Sequence, residues 1–137
     1  MGPRLAAPFT WPVRVYYEDT DLGGVVYYAN YLKFLERARS EWLRHLGVSQ
    51  SRLLAEDGVL FAITGVEIRY LQPAHFEDEL VVTVALERIR RASMSFQQTI
   101  LRQGSAQELL CTARVTAACL RAADMRPTAF PPHLFPE

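Results

Sequence analysis

Two cysteines, Cys111 and Cys119, are too few for a disulfide framework. Both fall in one expected strand, where eight residues at about 3.3 Å each separate them by roughly 26 Å, so they cannot bridge each other within it. The sequence has no run of about 18 apolar residues and no signal-peptide pattern. Those absences lead to the expectation of a reduced, soluble, cytoplasmic protein, with peripheral contact to the inner membrane left open. Lysine is nearly missing, Lys33 being the single one among 15 basic residues. Planar guanidinium groups suit phosphate recognition, but a codon bias of the source genome accounts for the excess as a whole. Each arginine therefore needs its own reason. Neither sign of charge prevails, with 15 acidic residues against 15 basic ones, so no global field points to nucleic acid or an anionic membrane.

Familiar catalytic signatures are also missing. There is no G-x-S-x-G elbow, no H-E-x-x-H, no Cys/His zinc spacing, no G-x-G-x-x-G and no phosphate-binding G-x-x-x-x-G-K-[ST]. Serine hydrolase, zinc and nucleotide readings lose ground accordingly. His45, His75 and His133 stand at a helix end, in a loop and in a Pro-rich tail, and read as surface residues.

What is present is globular composition, 50% hydrophobic and 22% charged over 137 residues, which suits one domain (1–137) with one core. After a Pro-containing lead (1–12), Val13, Val15 and Tyr17 alternate with Arg14 and Tyr16, the period of a half-buried strand. From about Asn30, the residues Tyr31, Phe34, Leu35, Ala38, Trp42 and Leu46 recur at helical spacing. Gly47 suits a left-handed cap there, and Arg44 and His45 suit the negative end of the helix. A shorter helix follows, with Ser49 as cap and Gly58 as stop. Then come runs rich in Val, Ile, Thr, Leu and Phe at Val59–Leu71, Glu79–Arg90, Ser93–Arg102 and Leu109–Arg121, read as strands. Gln72-Pro73 and Gln103-Gly104-Ser105 supply breaks, and Pro127, Pro131, Pro132 and Pro136 speak against regular structure in the tail (127–137). Helices together and strands together predict an α+β fold, with the long helix against an antiparallel sheet of about five strands.

The stretch EDTDLGGVVYYANYLKF, Glu18 to Phe34, concentrates the possible chemistry. The positive end of a helix favours an ionised carboxylate just before it, which makes Asp21 a base or nucleophile rather than an acid. Gly23 and Gly24 can take positive φ and admit another molecule close to the backbone, while the first N–H groups of the helix lack intrahelical acceptors. Free donors beside a carboxylate are the parts of an acyl-transfer site. The same residues equally describe a turn that Asp21 caps and the glycines make.

VRVYYEDTDLGGVVYYANYLKFLERARSEWLR, Val13 to Arg44, resembles the leading motif of the hotdog-fold acyl-CoA thioesterases of the 4-hydroxybenzoyl-CoA thioesterase family, in their envelope-associated YbgC-like branch. The resemblance continues more loosely, in order, through IRYLQPAHFEDEL to MRPTAFP. It implies a long helix wrapped by a curved sheet, hydrolysis of an acyl-CoA to a free acid and coenzyme A, Asp21 as the catalytic aspartate, and the Tyr28 backbone N–H as the donor to the thioester carbonyl. It implies no cofactor beyond the coenzyme A of the substrate, and a homo-oligomer, dimer or tetramer, with sites at the interface. Basic residues for coenzyme A phosphates are then expected near the mouth of a tunnel, and Arg90, Arg91, Arg121 and Arg126 near strand ends are the candidates. Tyr16, Tyr17, Tyr27 and Tyr31 are candidates to line an acyl pocket. Envelope-branch members generally carry histidine where this sequence has Tyr28, a departure that bears on acyl preference. The alternative is a non-catalytic module binding acyl-CoA or acyl carrier protein, attached to phospholipid synthesis or envelope assembly. A hydratase is weaker, resting on HFED at His75.

Overall fold

The computed structural model describes residues 8–104 and 107–135. Its elements run β1 (Phe9–Arg14), α1 (Tyr31–His45), α2 (Gln50–Asp57), β2 (Val59–Tyr70), β3 (Glu79–Ile89), β4 (Ser93–Arg102), β5 (Glu108–Arg121) and β6 (Arg126–Pro127). Two short 3-10 turns, Tyr17–Asp19 and Tyr28–Asn30, lie between β1 and α1. The strands form one antiparallel sheet in the order β1-β3-β4-β5-β2, with β6 paired to the end of β5. Register shifts at Ile63/Gly65, Leu86/Arg88 and Ile100/Leu101 add bends to the twisted strands.

The sheet curls around α1. Alternate side chains of β3 (Leu80, Val82, Val84, Leu86) and β4 (Met94, Phe96, Ile100) are buried on one face. They meet the helix stripe of Phe34, Leu35, Ala38 and Trp42, with Trp42 edge-on to Phe96 at 5.3 Å. One polar residue belongs to that face: buried Gln98 donates to the carbonyls of Leu35 (3.1 Å) and Thr83 (3.3 Å) and accepts from Arg39 at 3.0 Å. It ties helix to sheet without leaving a buried polar atom unsatisfied.

Gly47 (φ 84°) and Gly58 (φ 67°) take the left-handed backbone expected of them, and Ser49 caps α2 by accepting the Arg52 N–H. Three expectations need correction. The first strand begins at Phe9, inside the segment read as a lead, and ends at Arg14; Pro12 is accommodated because β1 is an edge strand. Tyr17, expected to alternate inward, instead opens a 3-10 turn and is exposed. The tail is less irregular than its prolines suggest, since Arg126–Pro127 pairs with Leu120–Arg121. Ser105 and Pro136 lie outside the described residues.

Candidate active site

Between β1 and α1 the chain folds back on itself. Thr20 bridges Val26, the Asp21 N–H donates to the Val25 carbonyl at 3.0 Å, and the Tyr27 N–H donates to the Asp19 carbonyl at 3.1 Å. The His75 loop lies along the same segment, through the Val25–His75 bridge and a Val26 N–H bond to the Ala74 carbonyl at 2.8 Å.

The acidic residues of this loop divide by environment. Asp19 is 5% exposed, and both its oxygens are engaged: one accepts the Tyr16 N–H and the other the Asn30 side-chain amide, each at 2.9 Å. Glu18 and Asp21 are exposed. Asp21 Oδ1 accepts the Gly23 N–H at 2.8 Å, and the Gly24 N–H closes the turn on the Asp21 carbonyl at 3.0 Å. Asp21 thus shapes its own turn while its carboxylate faces solvent. The two glycines serve different ends. Gly24 has φ 77°, whereas a Cβ at Gly23 would stand 3.3 Å from Asp21 Oδ1. Positive φ is therefore Gly24's contribution, and room for the carboxylate is Gly23's.

Tyr28 opens a helical run. Tyr27 is extended (φ −60°, ψ 133°), Tyr28–Asn30 forms a 3-10 turn, and Asn30 keeps helical dihedrals (φ −70°, ψ −21°) into α1. The Tyr28 N–H, first in the run, has no acceptor among the described residues, as expected of a first-turn donor. The Tyr28 carbonyl accepts the Tyr70 hydroxyl at 3.0 Å, and the two rings meet edge to face at 6.2 Å. Tyr28, Tyr31, Tyr70, Val26, Leu71 and Pro73 border an open cavity of about 280 Å³.

The tyrosines differ in role. Tyr31 is buried and its hydroxyl accepts the Ala74 N–H at 3.0 Å. Burial raises the Tyr31 and Tyr70 phenols above their ordinary range. Tyr27 is half-exposed with its ring 4.9 Å from Tyr28, and Tyr16 and Tyr17 are exposed. Burial pushes the Cys111 thiol up to about 12, which removes it as a nucleophile. His45, His75 and His133 are all exposed, as expected. Arg102 braces the neighbouring loop, donating to Asp78, Glu108 and the Pro73 carbonyl.

Arg90 and Arg91 occupy the β3–β4 turn, and Arg121 and Arg126 face each other across β5–β6; all four are exposed. The strands bring these four to one end of the sheet, which is the end away from Asp21. Arg14 beside the acidic loop pairs with Glu79 at the start of β3, and Arg90 follows its finish. Along β3 that is roughly 35 Å at the usual rise per residue. Within one chain these four arginines and Asp21 therefore stand at opposite ends of the sheet. Sequence reading also missed the parts played by Asp19, Asn30, Tyr70 and Arg102. Asn30 just before a helical pattern was a usable signal for a polar tether; Tyr70 and Arg102 give none, because their partners lie across the fold.

The Thioesterase-like superfamily matches residues 15–135. The chain is 43% identical over 123 residues to the acyl-CoA thioesterase YbgC of Haemophilus influenzae, covering 90% of this chain and 88% of that protein. It is 43% identical over 129 residues to the acyl-CoA thioester hydrolase YbgC of Escherichia coli, covering 94% of each. Among solved structures, a probable thioesterase from Bartonella henselae superposes with a TM-score of 0.84 at 34% identity, covering 91% of this chain and all of that one. The match spans the acidic loop, the helix and the sheet together, and the chain belongs to the Thioesterase-like superfamily, in its YbgC branch.

Proposed function

We propose that this protein hydrolyses acyl-CoA thioesters to a free carboxylic acid and coenzyme A, with Asp21 as nucleophile or general base and the Tyr28 N–H as oxyanion donor. The observation that carries this reading is the pairing, on one folded-back loop, of a solvent-facing carboxylate with a helical-run N–H that has no acceptor among the described residues. The names of the YbgC relatives supply the thioester chemistry.

The chemical roles follow from the parts. A thioester carbonyl seated against the Tyr28 N–H would gain negative charge on oxygen as it is attacked, where a fixed donor contributes most. As nucleophile, Asp21 would form an acyl-aspartyl anhydride and release the coenzyme A thiolate, and water would then cleave the anhydride. As general base, it would take a proton from the attacking water directly. The two routes share the same atoms and the same products. No metal or redox group enters either.

The reading includes a homo-oligomer. Among the described residues β2 has a sheet partner on one side, β5, and its Ile63 (46% exposed) and Val66 (40% exposed) face solvent. A long apolar strand edge invites pairing. A second copy running antiparallel along β2 would carry its own Arg90, Arg91, Arg121 and Arg126 toward this chain's Asp21 end. That arrangement reconciles the distant arginines with a role in holding coenzyme A phosphates, as candidates alongside Gly23, Gly24, Tyr27 and Tyr31. No helix among the described residues is long and apolar enough to cross a membrane.

The test is a thiol-release assay over short-chain, long-chain and hydroxybenzoyl thioesters of coenzyme A, run on wild type and Asp21→Asn. Turnover that the substitution abolishes supports the reading. Tight binding without turnover would replace it with a carrier module.

A further inference from the structure

Burying a carboxylate is costly unless its oxygens are paired, and a plain turn does not require it. Asp19 is nonetheless buried, and besides its own N–H, which donates to the Tyr16 carbonyl at 3.0 Å, it accepts three bonds from different directions. Its two oxygens hold the Tyr16 N–H and the Asn30 amide, and its carbonyl holds the Tyr27 N–H. Tyr16 closes the approach from β1, Tyr27 immediately precedes the proposed donor Tyr28, and Asn30 is the last residue of the Tyr28 turn. Asp21 is two residues further along the same backbone, past the Thr20–Val26 bridge. Asp19 and the Thr20–Val26 bridge beside it thus link the Asp21 turn to the Tyr28 turn from within the loop, while the His75 loop supports the same segment from outside.

We propose that Asp19 and Asn30 form a positioning clamp that fixes the Tyr28 N–H relative to the Asp21 carboxylate, with Asp19 taking no chemical part itself. The proposal rests on the catalytic reading of Asp21 and Tyr28. What Asp19 must supply is hydrogen-bond geometry rather than charge. An asparagine can supply the same geometry: its oxygen accepts the Tyr16 N–H, and its amide donates to Asn30 once the Asn30 side chain turns over. Alanine supplies neither bond. Displacement by about 1 Å between reacting groups costs on the order of 100-fold in rate, so a loosened clamp should appear in kcat and leave KM little changed.

The experiment compares Asp19→Ala, Asp19→Asn, Asn30→Ala and Asp21→Asn in steady-state thioester hydrolysis, each checked for folding by circular dichroism. Expected are kcat losses of roughly 10- to 100-fold for Asp19→Ala and Asn30→Ala with KM within about threefold, and recovery by Asp19→Asn to within about fivefold of wild type. If Asp19→Ala does not fold, Asn30→Ala carries the same test, since it removes one bond and leaves the carboxylate its backbone partner. Loss of activity in Asp19→Asn as deep as in Asp21→Asn would show that the Asp19 charge is needed and overturn the proposal. So would wild-type kcat in a folded Asn30→Ala. Activity retained by Asp21→Asn sinks the catalytic reading instead, a different result from any that decides the clamp.

Discussion

The Tyr70 hydroxyl donates to the Tyr28 carbonyl oxygen at 3.0 Å, tying the last residue of β2 to the turn that opens α1. The two residues are 42 positions apart in sequence, and the bond lets an edge strand brace the peptide following the proposed oxyanion donor. Tyr70→Phe removes the hydroxyl while keeping the ring against Tyr28 and Tyr31. A single such bond is worth about 1 kcal/mol, so kcat should fall roughly fivefold with KM nearly unchanged. A kcat equal to wild type would mean that the Tyr28 turn holds its place without Tyr70.

Asp78 gives the loop beside the site a pH dependence. Burial alone would raise its carboxyl, but the His75 N–H and the Arg102 guanidinium bond to the ionised form, and the net shift is downward. A group depressed in the folded state contributes stability that is present above its unfolded value, about 3.9, and lost as pH falls through the lower folded value. Wild type should therefore lose melting temperature on acidification below about pH 4, and Asp78→Asn should lose less over the same range while starting lower at neutral pH. Parallel curves for the two proteins would remove Asp78 as a source of the acid sensitivity.

The helices were legible because their signals are local: Ser49, Gly47 and Gly58 act on neighbours a few residues away, and the stripe from Tyr31 to Trp42 is a property of one element. The four main strands were legible for the same reason. The start of β1 was not, because Pro12 argues against a strand until its edge position is known. Within the site, the acidic loop stood out by composition, but the division of labour between Asp19 and Asp21 depends on burial. Two carboxylates separated by Thr20 look alike until one meets Asn30 across the fold. The position of the arginines relative to Asp21 was not legible either, because strand ends carry no label for which end of a sheet they occupy.

Gly24 separates backbone strain from ligand approach. A Cβ placed there meets nothing within 4 Å, so the protein itself has room for alanine, and the structural cost comes from φ 77°. That cost is about 1 kcal/mol, a few degrees of melting temperature for a chain of this size. Gly24→Ala should show that modest loss, and Gly24→Val a somewhat larger one. If acyl-CoA passes close to this backbone, Gly24→Val will also lower kcat/KM tenfold or more in protein that is fully folded at the assay temperature. Unchanged kcat/KM would confine Gly24 to making the turn.

Tyr28 allows the backbone and the side chain to be tested apart. The N–H proposed as oxyanion donor belongs to the first residue of a helical run, the position where proline fits best, because its fixed φ suits the turn and its missing N–H breaks no intrahelical bond. Tyr27 is already at φ −60°, ψ 133°, the extended conformation that a residue before proline adopts. Tyr28→Pro should therefore fold while deleting one donor and one ring. Tyr28→Ala deletes the ring and keeps the donor, and Tyr28→Phe keeps both and deletes the hydroxyl. Loss of an oxyanion donor costs roughly 100- to 1000-fold in kcat, so Tyr28→Pro should fall that far below Tyr28→Ala. Tyr28→Phe should stay within a few-fold of wild type, and Tyr28→His should remain active with a changed acyl preference. Equal kcat for the proline and alanine variants would take the oxyanion role away from this N–H, and a hundredfold loss in Tyr28→Phe would give it to the phenol.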